Sequence, residues 1–401
     1  MTVEREYTEG RTTILSADVE YYSGGKKQIT ASLPVFYNPR MRLNRDISVL
    51  FLSSYLQINT IDSMCEPLTG SGIRTLRYLN ECPGEFTAKM FDANPNAVDT
   101  AARNIERLGL KKRAQVLKGD AKFLLLSESR EKRFDYIDVD PFGTPAPYLN
   151  SSIQSLDPEE GLLALTATDM PVLCGAYPNV AMRRYGGFSI RAPFTHEIAL
   201  RLLQALAFRI AGLNDFSIRP FAVISTDHYV RTWIKVVADK KTLNKQVESL
   251  GIIKYCSGCM QTKIIPLTIK SSDEPFEHAR KDCKGPVKEA GPLWIGGLFQ
   301  PKVIEQAQAV FEKEDTSIYH KRVSRILEEM SEEQDLLQFP FVDLHAVCDL
   351  YNLTPPRNSQ IMQYLKDVGY RVSSTHFRPT AIRTDAPIQE VVSAIVNLVK
   401  G

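Results

Sequence analysis

Between residues 61 and 237 the chain alternates strand-sized apolar runs with amphipathic helical stretches. That alternation restricts the fold more than any other feature. Strands are expected at 61–65, 86–91, 114–117, 136–139 and 162–166. The clearest helix between them is 96–108. Asn94 suits its cap, Pro95 its first turn and Gly109 its exit, and Val98, Ala101, Ala102, Ile105 and Leu108 form its apolar face. Strands joined by such helices build right-handed βαβ units and a mostly parallel sheet. A further helix, 197–211, precedes two strands, 217–225 and 229–237. The link Thr226-Asp227-His228 is too short for anything but an antiparallel return. The expected fold is therefore α/β, with a Rossmann-like sheet closed by an antiparallel terminal hairpin. A simple dinucleotide-binding sheet has no need of that final reversal.

The 401 residues exceed one ordinary domain, and the pattern changes after residue 240. The expected division is 1–240 and 241–401, the second part a smaller α+β domain. Its helices fall near 301–314 and 318–330. Its tail, 343–384, reads helix, turn, helix and hairpin, a winged-helix pattern. At the other end, 12–34 reads as a hairpin turning at Ser23-Gly24-Gly25, followed by a helix at 43–56. No run approaches the roughly 18 apolar residues of a membrane span, and residues 1–11 lack a signal core. Seven cysteines, an odd number and mostly isolated, point to a reducing compartment such as the cytoplasm. A net charge of +2 does not mark a nucleic-acid binder. Any polyanion must meet local patches: Arg40 with Arg42 and Arg45, Lys111-Lys112-Arg113, or Arg183-Arg184. Each reads equally well as solvated surface.

Chemistry concentrates where strands end. Glu66-Pro67-Leu68-Thr69-Gly70-Ser71-Gly72-Ile73-Arg74 hands the first strand to its helix, and glycines there let a ligand approach the backbone. Asp92 ends the second strand, where a carboxylate can accept from both ribose hydroxyls. Asp120 ends the third, where it can meet an adenine amine. Each acid alone is as readily a helix cap or turn residue. Together they describe a nucleoside lying across the sheet. The fourth strand ends in Asp140-Pro141-Phe142-Gly143. An exocyclic amine is a poor nucleophile because its lone pair is delocalised into the base. The Asp140 carboxylate and Pro141 carbonyl can each accept one of its N–H bonds, and Phe142 can stack on the base. Such a base must first leave its helix. Phe36-Tyr37-Asn38-Pro39 offers an aromatic for the other wall of that slot, or a packed core ring. The Asp-Pro-Phe element alone leaves open a guanine N2, an adenine N6 of rRNA or DNA, or a non-catalytic RNA-binding relative. A nicotinamide enzyme is disfavoured because Thr75 breaks the Gly-x-Gly-x-x-Gly spacing. Asp138 should face the other side of its strand, His196-Glu197 reads as a helix cap, Cys174 reads as buried, and Thr168 to Pro171 are candidates to line the substrate slot.

In order and spacing these segments, with Asn44-Arg45-Asp46 and Gly291-Pro292-Leu293-Trp294, resemble the tRNA (guanine-N2)-dimethyltransferases that act at position 26. The resemblance implies a class I methyltransferase fold, S-adenosylmethionine as cofactor, tRNA as substrate and no obligate protein partner. It implies that Asp140 is the acid-base residue and that Phe36 and Phe142 flank the guanine. It also implies that Arg45, Asp92, Asp120 and Ala121 contact the cofactor, Arg45 through the methionine carboxylate. Relatives commonly carry Asp where this chain has Glu66. Some relatives also have two Cys-x-x-Cys pairs that bind zinc. Here Cys256 and Cys259 form one pair, and the second is reduced to Cys283. His278 is the candidate fourth ligand, the alternative being a vestigial knuckle of reduced cysteines.

Overall fold

The computed structural model describes residues 3–24, 33–226, 228–267 and 275–400. They fall into two compact units. One comprises Met1–Thr166, Trp233–Ala238 and Lys302–Ser324. The other comprises Ala167–Thr232, Asp239–Pro301 and Arg325–Gly401. The chain thus passes between units repeatedly, where one boundary near 240 was expected.

The strands in chain order are β1 (Glu4–Glu9), β2 (Thr12–Ala17), β3 (Ser63–Glu66), β4 (Thr87–Asp92), β5 (Ala114–Lys118), β6 (Tyr136–Val139), β7 (Gly161–Ala167), β8 (Ser217–Ser225) and β9 (Val230–Val237). Then come β10 (Leu250–Cys256), β11 (Thr262–Pro266), β12 (Val287–Trp294), β13 (Val342–Asp343), β14 (Val372–Ser373) and β15 (Ala381–Thr384). Seven strands form one sheet in the order β5-β4-β3-β6-β7-β9-β8. The β5/β4, β4/β3, β3/β6 and β6/β7 pairs are parallel. β6 and β7 are buried along their whole length, as central parallel strands are, β6 burying Asp138 among its apolar residues. The strand last in sequence, β9, lies inside β8 in the sheet order, the arrangement of class I methyltransferases. Asp227, at the centre of the link before it, lies outside the described residues.

The helix Pro95–Arg107 keeps its expected caps, with the Asn94 side chain accepting from Asn96 N. Its buried face is Ala97, Thr100, Ala101, Asn104 and Ile105, so Val98 and Ala102 are displaced from the core. Asn104 explains the rotation. Its amide pairs with both backbone groups of Leu15 at 2.8 Å and with the Ser71 carbonyl at 3.0 Å. A buried side chain with its bonds made is no burden to the core.

The N-terminal hairpin is β1 with β2, turning at Gly10 and Arg11, earlier than the expected 12–34. Gly25 of the expected turn lies outside the described residues. The sequence Glu4 to Glu9 hid a strand because its carboxylates are spent on partners. Glu4 pairs with Arg103, and Glu6 with Arg107. Glu9 is 1% exposed and accepts from Arg45 Nε at 2.6 Å and Tyr37 Oη at 2.8 Å. Arg77, fully buried, bonds Asp46 at 2.6 Å and Glu81 at 2.9 Å. Asp46 in turn accepts from His320 N at 2.7 Å. This network fastens the hairpin, the helices Arg42–Tyr55 and Ile73–Glu81, and the segment around His320 to one another.

In the second unit β11-β10-β12 form an antiparallel sheet. The C-terminal order is β13, helix Leu344–Tyr351, helix Asn358–Asp367, β14, β15, the strands pairing as β13-β15-β14. The helix Thr195–Leu213 buries Glu197, which binds Arg201 and Arg383. Glu197 is therefore a core anion and caps nothing. Cys174 is half-buried, less enclosed than expected.

Burial alone would raise the Glu9 carboxyl, but Arg45, Arg77 and Tyr37 outweigh it and hold it at about 2. A depressed carboxyl stabilises above its unfolded value of 4.5 and loses that contribution as pH falls through about 2. Glu9→Ala should cost about 3 kcal/mol at pH 7 in urea unfolding, by leaving buried cations unpaired. The gap between variant and wild type should close as pH falls from 4.5 toward 2. Equal stabilities at pH 7 would contradict this.

Candidate active site

The turn after β3 is built on two left-handed glycines, Gly70 at φ +54° and Gly72 at φ +83°. A Cβ on Gly70 would lie 2.9 Å from the Phe36 carbonyl oxygen, and one on Gly72 would lie 2.7 Å from Met90 Cε. The first contact is to backbone, so no larger residue fits without moving the 33–38 segment. Gly70 N donates to Asp92 Oδ2 at 2.9 Å, and Asn94 N donates to Asp92 Oδ1 at 2.8 Å. Asp92 at the end of β4 thus braces the neighbouring turn while keeping further acceptor capacity on each oxygen. Glu66 Oε2 accepts from the Thr69 hydroxyl at 3.1 Å and the Thr75 hydroxyl at 2.6 Å. Thr75, which breaks the dinucleotide fingerprint, instead supports the acid.

Arg74, one residue into the helix that this turn opens, is 3% exposed. It forms an ion pair with Asp140 and donates to the Ser48 hydroxyl at 3.0 Å. Its Nε lies 3.8 Å from Glu66 and 3.9 Å from Asp138. Three carboxylates therefore surround one guanidinium. Asp138 also accepts from Tyr78 Oη at 2.7 Å and Tyr136 Oη at 2.8 Å, which makes it a structural acid. It does not face the other side of the strand as expected but shares Arg74 with Asp140, since residues two apart on a strand share a face. Asp140 keeps 18% of its side chain exposed and is the only one of the three that faces out of the core.

Phe36 and Phe142 meet edge to face, with centroids 4.2 Å apart and planes at 69°. Phe142 is 56% exposed. The Phe36 carbonyl accepts from Ser71 N at 3.3 Å, so this ring is tied to the glycine turn. Pro141, between Asp140 and Phe142, is buried. The aromatic pair and the Asp140 carboxylate thus share one short loop at the carboxyl edge of β6, next to β3 in the sheet.

Arg45 is nearly enclosed. Its Nε and Nη2 are spent on Glu9, and Nη2 also reaches the Asn38 carbonyl at 2.8 Å. Only Nη1 has no partner among the described residues. Asp120 caps the helix Ala121–Glu128, Oδ1 accepting from Lys122 N and Phe123 N at 3.0 Å. Its Oδ2 is uncommitted, and Ala121 packs beneath it at 6% exposure. In the second unit, Asp169 accepts from Tyr185 Oη at 2.5 Å and pairs with Arg184 at 3.0 Å. Sequence reasoning placed Arg74 at the end of the ligand-facing turn and missed its bond to Asp140, which no spacing rule reveals.

The second unit also gathers Cys256, Cys259, His278 and Cys283, whose ligand atoms all lie within 4.8 Å of one another. The Cys256 and Cys283 sulfurs are 3.7 Å apart, as are Cys259 Sγ and His278 Nδ1. A tetrahedron with Zn–S bonds of about 2.3 Å has an edge of about 3.8 Å. The donor set and its spacing fit zinc.

A family model described as "N2,N2-dimethylguanosine tRNA methyltransferase" matches residues 10–396. A tRNA (guanine(26)-N(2))-dimethyltransferase of Methanocaldococcus jannaschii is 34% identical over 94% of this chain and 96% of its own. Its counterpart in Methanosphaera stadtmanae is 31% identical over 93% of each chain. The structure of Trm1 from Pyrococcus horikoshii with S-adenosyl-L-methionine superposes with a TM-score of 0.80 at 28% identity, over 98% of this chain and 99% of that one.

Burial, reinforced by Asp138 and opposed by Arg74 and the two threonines, raises the Glu66 carboxyl to about 7. The folded protein then holds a proton between pH 4.5 and 7 that the unfolded chain releases, so stability falls as pH rises through that window. Glu66→Gln keeps an acceptor for Thr75 and should flatten this slope in thermal unfolding. A variant with the wild-type slope would show that Glu66 does not titrate there.

Proposed function

The chain belongs to the N2,N2-dimethylguanosine tRNA methyltransferase family, and on that premise we propose how its own residues divide the labour. The protein is an S-adenosylmethionine-dependent tRNA (guanine(26)-N2)-dimethyltransferase. When bound, S-adenosylmethionine supplies an electrophilic methyl on sulfonium sulfur. Asp92 receives the ribose hydroxyls, the free Oδ2 of Asp120 receives the adenine amine, and Ala121 leaves room for the ring. Arg45 Nη1 is the donor for the methionine carboxylate. Glu66, Thr69, Gly70 and Gly72 hold the turn open to that ligand.

Phe36 and Phe142 take the flipped guanine between them, each stack contributing about 1–3 kcal/mol against the cost of extrusion. Asp140 and the Pro141 carbonyl accept the two N–H bonds of the exocyclic amine and aim its lone pair. Asp140 would accept the proton that the amine loses on methylation. Arg74, paired with that carboxylate, holds it in place at the rim. The observation that carries this reading is the Arg74–Asp140 ion pair beside the two aromatic rings. A second methyl uses the same contacts with one N–H fewer.

The Cys256, Cys259, His278 and Cys283 cluster would hold a structural zinc ion in this reading, three thiolates and one imidazole supplying its donors. No helix among the described residues is long and apolar enough to cross a membrane. The seven free cysteines suit a cytoplasmic location.

Asp140→Ala should lower the methyl-transfer rate at least about a hundredfold, within the range for a lost acid-base group, with tRNA and cofactor affinities near wild type. Nucleoside mass spectrometry on unmodified tRNA measures it, and an active variant removes the mechanism. The purified protein should contain one zinc per chain by elemental analysis. Cys283→Ser should lose it and unfold at lower temperature, and a metal-free, equally stable wild type refutes the site.

A further inference from the structure

We propose that Arg40, Arg42, Lys321 and Arg322 form a phosphate-binding surface for the tRNA backbone flanking the target guanosine. The inference rests on the assigned function and adds a subsite to it. These cations come from two chain segments some 280 residues apart that the fold fastens together. Arg42 Nη2 donates to the Ile318 carbonyl at 2.8 Å, and Asp46 accepts from His320 N at 2.7 Å. Arg322 N bonds His320 Nδ1 at 3.2 Å, which turns the chain so that Lys321 and Arg322 face solvent. Burial moves the His320 imidazole below its usual range. Asp46 opposes this, and Arg322, Arg42 and Lys321 add to it, as expected where several cations converge on one ring.

The charges here are unspent. The arginines on the helices beneath are each committed to carboxylates: Arg45 to Glu9, Arg74 to Asp140, Arg77 to Asp46 and Glu81. Arg40, Lys321 and Arg322 are exposed and have no carboxylate in ion-pair range among the described residues. Arg42 reaches only Asp46, at 3.6 Å, an anion already engaged by Arg77. Exposed, mutually repelling cations held on a braced scaffold are costly unless an anion joins them.

Position identifies the anion. Asn38 caps the short Pro39–Met41 turn, accepting from Arg40 N at 3.0 Å, while Arg45 holds the Asn38 carbonyl from below. Phe36, at the base slot, is four residues before Arg40, so their Cα atoms are at most about 14 Å apart. A nucleotide drawn into the slot brings its own phosphates to this rim. Backbone phosphates carry no sequence information, and their contacts fix register while the slot reads the base.

The test uses the full-length enzyme and unmodified tRNA. The triple variant Arg40→Gln, Lys321→Gln, Arg322→Gln should weaken tRNA binding about tenfold or more at 150 mM salt. It should also reduce the slope of log affinity against log salt by about 2–3, one contact contributing about 0.7–0.9. Cofactor affinity and turnover at saturating tRNA should stay near wild type. Arg130→Gln with Lys132→Gln, on the loop entering β6 at the sheet edge away from Asp140, should change neither affinity nor slope. Lys321→Gln with Arg322→Gln alone should show part of both effects, which covers the case of a poorly folded triple variant. Unchanged affinity and slope in variants that still bind cofactor would overturn the proposal. So would an equal loss in the control. A wild-type enzyme that fails to methylate tRNA would instead overturn the function on which the proposal rests.

Discussion

A single guanidinium organises the carboxyl ends of β3 and β6. Arg74 lies within 4 Å of Glu66, Asp138 and Asp140, and those acids come from β3, from β6 and from the loop after β6. Without a cation at that point, adjacent parallel strands could not end in acids so close together, because each added charge would repel the others in a low-dielectric core. The two tyrosines on Asp138 and the two threonines around Glu66 complete the compensation. What remains for solvent and substrate is the one carboxylate at the rim. The arrangement costs stability in itself, since buried ion clusters seldom repay their desolvation fully, so its retention points to the chemistry it permits.

A second charge network does the same for the scaffold. Glu9, Arg45, Arg77, Asp46 and Glu81 connect an edge hairpin to the helices beneath the base slot. The hairpin contributes Ile14 and Ala17 to the core, and burial of its acid against two arginines adds a second hold. The Phe36 loop is consequently held at both ends, by Ser71 at the glycine turn and by Arg45 at Asn38.

Much of this was legible in the residues. The strand-helix alternation carried the sheet, and β6 and β8 fall at their expected limits. The acids at Asp92, Asp120 and Asp140 were visible because strand ends are where ligands meet parallel sheets. The strand β1 was not legible, since its carboxylates read as solvent-facing until their arginine partners, up to about a hundred residues away, are placed in space. The buried face of the Pro95–Arg107 helix was misjudged for the same reason: Asn104 looks polar, yet it completes backbone pairing with Leu15. The meeting of residues 40–42 with 318–322 lies beyond any local pattern. Periodicity reports on neighbours in sequence, whereas these contacts are set by the tertiary fold.

In the proposed mechanism the edge-to-face contact of Phe36 with Phe142 makes the slot its own competitor. A base that enters must first forfeit roughly 0.5–1.5 kcal/mol of ring–ring attraction. A large flat purine recovers this on two faces, while a smaller ring overlaps each phenyl less and recovers less. On that proposal the closed ring pair filters for aromatic area before any hydrogen bond is tested, and it penalises idle occupancy by pyrimidines or water without a single polar group being dedicated to the task.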